Sequence, residues 1–440
     1  MNASKLTPEL LITFPGKIIS PVIIEIIPGF FDTVKGQLSQ VVPKNLFSPR
    51  FNTYFPRLFP SIEFPLFGWK ELQTFNMIAT ILTADLVELV SDWAGVARIY
   101  PDFVKTVAQT SVPPEGTYKD FRGKTCTSTF WTKKMLGLDK ANQQGFSGKG
   151  IKTVVIDTGA RITHPQLTGR VRTYTAMPEK GGSGLDENGH GTWCNSTVGG
   201  KAAIDHRYAV NVEGMAPECD LISIQALGFI IGMGTSSDII QAMQKSIELG
   251  AKVVSMSLGS NDAPRDTDNP EATAINTLVD NGIIPCIAAG NSGPNAQTIG
   301  SPGCCRNSLT IGAWDEIVDS IASFSSRGPT KGDGYMKPDV VLPGVKINSA
   351  LIGFLDAEVD PTQPKYGSIS GTSMATPHAA GLVTCMAQVY HDRLAKELTV
   401  NEVKLMMAHL GHAKTNEDGC GMLTWSIVEE WMRTQYGVIL

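Results

Sequence analysis

The pattern of hydrophobic positions divides the chain into two parts near residue 150. From Gly150 onward, short apolar runs rich in β-branched residues alternate with longer stretches of helical periodicity. The apolar runs are uniform rather than alternating, which is typical of strands covered on both faces of a sheet. The predicted strands span residues 151–157, 220–227, 253–260, 283–291 and 308–314.

Two helices between these strands have well-marked ends. Residues 236–249 begin with capping residues and stop at Gly250, and residues 270–279 follow Asn269 and stop before Gly282. This alternation predicts an α/β fold with a doubly wound, mostly parallel sheet and helices on both faces. Functional sites in such sheets form beyond the carboxyl ends of the strands.

The first hundred residues follow a different pattern, which predicts a separate, small α+β unit. Nine of the 17 Phe lie between Phe14 and Phe67, and residues 29–67 allow no assignment. The predicted elements are strands at 22–27, 77–82 and 96–100 and a helix at 85–93. Because the chain turns polar after Pro101, we predict an N-terminal domain at 1–112, an exposed linker at 113–128 and a second domain at 129–440.

Composition excludes several classes of protein. The 440 residues are 42% hydrophobic and carry a net charge of -5, which gives no electrostatic reason to expect a nucleic-acid or membrane-surface partner. We find no apolar run long enough to span a membrane, and Pro15 interrupts the first apolar run, so no secretory signal is predicted. The sequence does not indicate whether the protein acts inside the cell, is exported by another route or belongs to a virus particle.

The eight Cys are expected to be mostly buried thiols.

Two short motifs place reactive residues at predicted element ends. In VVIDTGA (154–160) an apolar strand ends in Asp157, and in NGHGTWCNS (188–196) His190 lies between two glycines at the head of a predicted helix. Glycine on both sides allows another backbone to approach the imidazole closely. Taken singly, Asp157 can equally be a turn residue, and His190 a structural histidine.

Two further motifs add a hydroxyl and an amide. In GTSMATPHAAG (371–381) Ser373 begins an Ala- and Gly-rich helix, whose N-terminus offers N–H groups and positive potential to an oxyanion. In CIAAGNSGP (286–294) Asn291 follows an apolar strand, where its side-chain amide can donate to the same oxyanion. A turn asparagine is the alternative interpretation.

Together the four motifs resemble those of the subtilisin-like serine proteases. Asp157, His190, Asn291 and Ser373 occur in that family's order, with separations of 33 residues from Asp157 to His190 and 183 from His190 to Ser373. SMSLGS (255–260), SFSSRGP (323–329) and KPDVVLPG (337–344) also match, and the resemblance extends from about Phe130 to the C-terminus.

The resemblance implies a serine endopeptidase of protein or peptide substrates. Ser373 would attack the peptide carbonyl, His190 would carry the proton, and Asp157 would orient the imidazole. Asn291 and the backbone N–H of Ser373 would form the oxyanion hole. No cofactor is required for this chemistry.

The resemblance also implies a substrate pocket for the residue before the cleaved bond, the P1 residue. Its walls would be formed by Ser255, Leu258, Gly259, Ala288, Ala289 and Gly300. Such small, mostly apolar residues favour hydrophobic or aromatic P1 side chains. Ser292 stands where several family members carry Glu, which argues against specificity for basic residues.

The N-terminal domain resembles the family's propeptide. In the family this domain assists folding, then occupies the active-site cleft as an inhibitor until it is cut away. The resemblance therefore implies a zymogen that cleaves itself between about Val104 and Ser128.

A structural Ca²⁺ ion is a weaker implication. The family turn that usually supplies a carboxylate reads His164-Pro165-Gln166-Leu167 here, and the loop at 199–214 offers Asp205, Asn211 and Glu213 instead.

Two alternatives to a peptidase stay open. The chain could keep the scaffold as a binding or structural protein, blocked by its own N-terminal domain. An acyl-transferring ligase would use the same residues and differ only in its products.

Overall fold

The computed structural model describes most of the chain. The described residues are 19–41, 69–72, 74, 76–83, 89–101, 104–107, 126–206, 210–228, 232–352 and 366–440. Part of the helix predicted at 85–93, most of the predicted linker and most of the unassigned stretch at 29–67 lie outside these residues.

The N-terminal unit is an antiparallel sheet of four strands in the order β2-β3-β1-β4. Its elements are β1 (Ile19–Ile26), α1 (Phe31–Val41), β2 (Trp69–Leu72), β3 (Met77–Thr83) and β4 (Val96–Pro101). Strands therefore form at all three predicted places. Helix α1 was not predicted, because within residues 31–38, whose side chains the structure describes, only Val34 and Leu38 are buried, which is a short apolar stripe.

The central sheet has eight strands, and its pairings are parallel except for that of the short edge strand β17 with β16. The order is β17-β16-β15-β13-β7-β11-β8, with β18 also paired to β16. The strands are β7 (Lys152–Asp157), β8 (Val171–Thr175), β11 (Asp220–Gln225), β13 (Val253–Met256), β15 (Ile284–Ala288), β16 (Leu309–Asp315), β17 (Ser320–Ile321) and β18 (Val340–Pro343). All five predicted strands are present in this sheet.

One predicted strand divides into two. The run at 253–260 leaves the central sheet after Met256, and Leu258–Gly259 joins a different sheet as β14. Ser257 lies at the division.

Three smaller sheets lie around the central one. Strand β5 lies between β12 and β14, β19 lies between β20 and β6, and β9 pairs with β10. The bounds are β5 (Val104–Val107), β6 (Thr127–Ser128), β9 (Ala203–Asp205), β10 (Val210–Val212), β12 (Met233–Thr235), β19 (Ile347–Ala350) and β20 (Tyr366–Ile369).

Helices cover both faces of the central sheet. They are α2 (Thr129–Met135), α3 (Leu138–Gln143), α4 (His190–Gly199), α5 (Ser236–Glu248), α6 (Pro270–Asp280), α7 (Thr372–Val389), α8 (Val400–Leu410) and α9 (Trp425–Tyr436). Helices α4 and α7 share one buried cluster with Val155 of β7, and α5 and α6 share another with Val154 and Ile156. Because successive strand residues point to opposite faces, β7 contributes to both cores.

The two ends of this sheet are not equivalent. The carboxyl ends of β7 and β15 and the N-termini of α4 and α7 lie at the same edge, since parallel strands all end on one side. This edge is where the sequence places Asp157, His190 and Ser373.

The KPDVVLPG motif (337–344) contains buried, oppositely charged side chains that pair with each other. Lys337 donates from Nζ to Asp339 Oδ2 at 2.7 Å and to the Ser308 carbonyl at 2.8 Å. Burial alone would raise the pKa of Asp339, but the charges of Lys337, Lys404 and Lys414 hold that pKa well below its usual range. The motif therefore ties the strand β18 to the chain before β16.

Within the described part of the chain, no helix is both long and apolar enough to cross a bilayer.

Helix α7 is attached to α2 through a neutral histidine. His378 is fully buried; its Nδ1 lies 2.7 Å from the Met374 carbonyl and its Nε2 lies 2.7 Å from Thr132 Oγ1. Since a carbonyl can only accept, Nδ1 carries the proton and Nε2 accepts from Thr132. Burial lowers the pKa of His378 from 6.5 to about 4.

This histidine predicts a specific loss of stability in acid. Below pH 6.5 the unfolded chain binds a proton at His378, and the folded chain does not bind it until about pH 4. Stability therefore falls as the pH is lowered through this window, by up to about 3 kcal/mol from this residue.

The measurement is urea unfolding between pH 7.5 and pH 4 for chains with and without His378→Gln. Both carry Ser373→Ala, so that the expected peptidase activity cannot digest unfolded chain. We expect the parent to lose up to about 3 kcal/mol more than the variant over this range. His391→Gln, at an exposed position, is the control. Parallel pH profiles for parent and His378→Gln would show that the prediction is wrong.

Candidate active site

Asp157 and His190 form a fully buried hydrogen-bonded pair. Asp157 ends β7 and His190 begins α4, and both side chains are 0% exposed. His190 Nδ1 lies 2.8 Å from Asp157 Oδ1. Because a carboxylate can only accept, Nδ1 donates to Asp157, and in the neutral imidazole Nε2 then carries the lone pair. Among the described residues, His190 Nε2 has no hydrogen-bond partner.

The loop before His190 is held by a buried carboxylate that the sequence motifs did not indicate. Asp186 Oδ1 accepts from the backbone N–H groups of Asn188 and Gly189, and Asp186 Oδ2 accepts from the N–H and hydroxyl of Thr192, at 2.6–2.9 Å. These contacts fix the residues on both sides of His190.

Asp186 is also connected to the residue after Asp157. Thr158 Oγ1 donates to Asp186 Oδ1 at 2.9 Å and accepts from the Gly191 N–H at 2.8 Å. Burial raises the pKa of Asp186, although its hydrogen bonds oppose the shift. One carboxylate thus joins the end of β7 to the start of α4. Its position four residues before His190, in a polar loop, is the only sequence signal for it.

Close backbone contacts require the glycines on both sides of His190, although these contacts are to the glycines themselves and not, as predicted, to the imidazole. A Cβ at Gly189 would collide with the Ile352 carbonyl, and one at Gly191 would collide with the Gly159 carbonyl. Gly189 also has φ +108°, which disfavours any other residue.

Ser373 lies in the first turn of α7, where the dipole of the helix is positive. Its Oγ donates to the Ser257 carbonyl at 3.1 Å, and Ser257 Oγ donates to the Ser373 carbonyl at 3.0 Å. Two hydrogen bonds therefore connect Ser373 to Ser257, the residue at which the predicted strand 253–260 divides. This pair of bonds was not predicted, because a serine in SMSLGS carries no sequence sign of its partner.

Asn291 lies three residues beyond β15 and faces the start of α7. Its Oδ1 accepts from the N–H of Thr372 at 2.9 Å and from the Thr372 hydroxyl at 3.1 Å. The amide orientation follows, since a backbone N–H can only donate. The amide nitrogen Nδ2 is buried and has no hydrogen-bond partner in the described structure.

Cys194 lies one helical turn after His190. Its Sγ is 3.8 Å from His190 Nδ1 and 3.8 Å from the Ser373 carbonyl oxygen. Burial, together with the charge of Asp157, raises the pKa of Cys194 well above its usual value, so the thiol is neutral. All eight cysteines are free thiols, seven of them buried, as expected.

The predicted pocket residues come from three segments that the structure brings together. The residue that follows β14 contacts the segment after β15: Ser260 N–H donates to the Ser301 carbonyl at 2.9 Å. The Gly300 nitrogen lies 3.4 Å from the Ala289 carbonyl oxygen. A Cβ at Gly300 would collide with the Ser260 carbonyl. Ser255, Leu258, Ala288 and Ala289 are buried. Their role in binding substrate stays a prediction.

Three residues named above for a possible Ca²⁺ site, Gln166, Asp205 and Glu213, contact other protein groups in the structure. Gln166 Nε2 donates to the Lys201 carbonyl at 3.1 Å, and Asp205 Oδ2 accepts from Asn348 Nδ2 at 3.0 Å. Glu213 pairs with the buried Lys133 at 2.8 Å, and Asn211 is exposed. Ca²⁺ takes six to eight oxygens, several of them charged. A structural Ca²⁺ ion at this place therefore stays a prediction.

A family comparison agrees with this geometry. Residues 148–421, more than half of the chain, match the model of the subtilase family. The chain belongs to this family, and its central sheet is the α/β fold predicted from the sequence.

Individual relatives include several named proteases. The chain is 37% identical over 288 residues to serine protease AprX of Bacillus subtilis, covering 60% of this chain and 62% of that protein. It is 36% identical over 244 residues to a thermophilic serine proteinase of a Bacillus species, covering 56% and 53%. It is 33% identical over 321 residues to M-protease of Shouchella clausii, covering 72% and 70%. The matched regions thus span between half and three quarters of these relatives.

Replacing Asp186 is predicted to lower activity even though Asp157, His190 and Ser373 all remain in the chain. In Asp186→Asn the side-chain NH2 group would face backbone N–H donors, from which it cannot accept. The loop beside His190 would therefore lose hydrogen bonds that hold it in place. We expect kcat/KM for a chromogenic peptide to fall by about 10²-fold, the effect of misplacing a reacting group by about 1 Å. Glu187→Gln, an exposed neighbour in the same loop, is the matched control. If the two variants are equally active, Asp186 does not position His190.

Proposed function

We propose that this chain is a serine endopeptidase that cleaves protein or peptide substrates through Asp157, His190, Ser373 and Asn291. The observation that carries the proposal is a pair of buried, unpartnered atoms at one sheet edge. In the described structure His190 Nε2 is an acceptor without a donor, and Asn291 Nδ2 is a donor without an acceptor. Buried polar atoms are normally satisfied, so both are suited to receive groups of a reacting substrate.

In the proposed reaction, Ser373 Oγ leaves the Ser257 carbonyl by rotation about χ1 and donates to His190 Nε2. As Oγ attacks the peptide carbonyl, His190 takes the proton and returns it to the departing amine. Asp157 keeps the other imidazole proton on Nδ1 and stabilises the imidazolium that forms. Water then hydrolyses the acyl-enzyme by the same steps.

The oxyanion is stabilised from two sides in this proposal. Asn291 Nδ2 is held in place because both bonds to Thr372 engage its oxygen. The backbone N–H of Ser373 lies in the first helical turn, where N–H groups have no carbonyl within the helix. Both donors are positioned before the charge develops, so little reorganisation is required.

The N-terminal unit is proposed to be a propeptide that inhibits the site. Three sets of contacts support this. Strand β5 pairs antiparallel with both β12 and β14, and β14 carries Leu258 and Gly259 of the predicted substrate pocket. Ile23 and Met77 of the N-terminal sheet share a buried cluster with α5 and α6, and Arg98 pairs with Asp268 at 3.2 Å.

The contacts of the N-terminal unit are also compatible with a second candidate, a binding or structural protein whose site is blocked permanently by that unit. The two candidates differ in whether the chain between the N-terminal unit and α2 is ever cut. The four residues of the proposed machinery are all present, which favours turnover.

Replacing the nucleophile tests the proposal directly. Ser373→Ala should reduce hydrolysis of casein and of peptide substrates to the detection limit, since removing the corresponding serine of subtilisin costs about 10⁶ in kcat. Asn291→Ala should reduce kcat by about 10²–10³, the loss found for the equivalent donor in subtilisin. Ser292→Ala removes an exposed neighbouring hydroxyl and should have little effect. Normal hydrolysis by Ser373→Ala would falsify the proposed function.

The small residues of the predicted pocket lead to a proposed preference for apolar P1 side chains. We expect kcat/KM to be at least about tenfold higher for Ala-Ala-Pro-Phe-p-nitroanilide than for Ala-Ala-Pro-Arg-p-nitroanilide, because burying an aromatic ring contributes about 2 kcal/mol. A preference for arginine would mean that an acid reaches the pocket, contrary to the proposal.

A further inference from the structure

Strand β5 marks a path that an extended chain can follow past the proposed site. Its backbone pairs antiparallel with β14 at Leu258 and Gly259, and with β12 as far as Thr235. Leu258 follows Ser257, whose carbonyl accepts from Ser373 Oγ. The carboxyl end of β5 is therefore the end nearest to the proposed nucleophile. Its amino end lies opposite Thr235, about 10 Å further along the strand.

Strand β12 is short, and different contacts hold its two ends. At its start, the Gly228 N–H donates to the Met233 carbonyl at 2.7 Å, and a Cβ at Gly234 would collide with the Ala226 carbonyl. At its end, Thr235 is the N-cap residue of α5. The position of Thr235 therefore depends on the contacts of the first turn of α5.

A fully buried carboxylate in that turn holds Thr235. Asp238 is 0% exposed, and its Oδ2 accepts from the Thr235 N–H at 2.8 Å and lies 2.7 Å from the Thr235 hydroxyl. Lys180 donates from Nζ to the same oxygen at 2.6 Å. Lys180 ends the short 3-10 turn Pro178–Lys180, which follows β8 of the central sheet. The ion pair thus connects the end of β12 to the segment after β8.

The charge of Lys180 stabilises Asp238 in this position. A buried carboxylate is costly unless an opposite charge or several donors compensate it. Without the ammonium group, the Asp238 side chain would gain by turning toward water, and the Thr235 N–H would then lose its acceptor. Replacing Lys180 removes only the charge and leaves both side chains of the capping box, Thr235 and Asp238, in the chain.

From these contacts we infer that the Lys180–Asp238 pair positions β12 to bind the distant part of an extended substrate. The inference rests on the proposed function and adds to it the feature that is recognised, the backbone of a polypeptide segment in β conformation that reaches Thr235. Lys180 is a positioning residue, since it acts on the substrate through Asp238 and β12. Recognition of backbone rather than side chains favours extended segments of many sequences over short peptides.

Hydrogen exchange tests the contact with β5 itself as the bound segment. The full chain carries Ser373→Ala, so that it stays intact. In Lys180→Met we expect the amides of residues 104–107 to exchange about three- to tenfold faster, the contribution of one hydrogen bond. Lys180→Arg keeps the charge and should keep exchange slow. Lys140→Met, which breaks an ion pair with Glu429 on other elements, is the matched control and should leave β5 unchanged.

Substrate length tests the role in recognition. Acetyl-Ala-Phe-p-nitroanilide is too short to reach Thr235, whereas acetyl-Ala-Ala-Ala-Ala-Ala-Phe-p-nitroanilide is long enough. In Lys180→Met we expect the ratio of kcat/KM for the long substrate to that for the short one to fall about three- to tenfold, through KM. A general loss of stability, or a change in how far β5 occupies the cleft, alters both substrates alike and cancels in this ratio. Lys180→Arg and Lys140→Met should keep the parental ratio.

Failure of the inference can be told apart from failure of the proposed function. Unchanged exchange of β5 in Lys180→Met overturns the inference, and so does an unchanged length ratio in a chain that hydrolyses casein. A parent chain that hydrolyses neither casein nor the peptides contradicts the proposed function, whereas the exchange of β5 requires no turnover and still tests the contact of Lys180.

Discussion

The hydrogen bond between Asp157 and His190 is the constraint on which the rest of the site depends. Both side chains are fully buried, and a buried carboxylate is costly unless its environment supplies donors. Asp157 Oδ1 receives two, at 2.8 Å from His190 Nδ1 and at 2.7 Å from the Thr158 N–H. The imidazole is thereby fixed in one tautomer, with its basic nitrogen Nε2 directed away from the carboxylate.

Rigid secondary-structure elements hold Asp157 and His190 in position. Asp157 lies at the end of a strand paired on both sides, and His190 lies at the start of a helix buried along its length. Asp186 joins the two across the intervening loop, and Ser257 fastens the nucleophile to the adjoining strand. Each group of the proposed catalytic machinery is therefore held by contacts other than those with its proposed reaction partner, as preorganised sites require.

Much of the site could be predicted from the sequence, because its residues stand at element ends with recognisable signals. Uniform apolar runs predicted the strands of the central sheet, and glycines around His190 predicted the close backbone contacts that the structure contains. Asp186 was missed because a polar loop residue shows its role only when its five donors are known. Helix α1 was missed because within its described side chains, residues 31–38, only Val34 and Leu38 are buried, and two apolar positions are too few to mark a helix. The pairing of β5 could not be read from four residues, since it depends on partners more than 120 positions away.

The central claim, that the buried Asp157–His190 pair activates Ser373, can be tested by covalent labelling. Chain freed of its N-terminal unit is treated with phenylmethylsulfonyl fluoride, and the modified peptide is identified by mass spectrometry. The account predicts one sulfonyl group, on Ser373, and labelling that is at least about 10²-fold slower in His190→Ala, the lower range of a general base's contribution. Labelling on another residue, or labelling of Ser373 at an unchanged rate without His190, would contradict it.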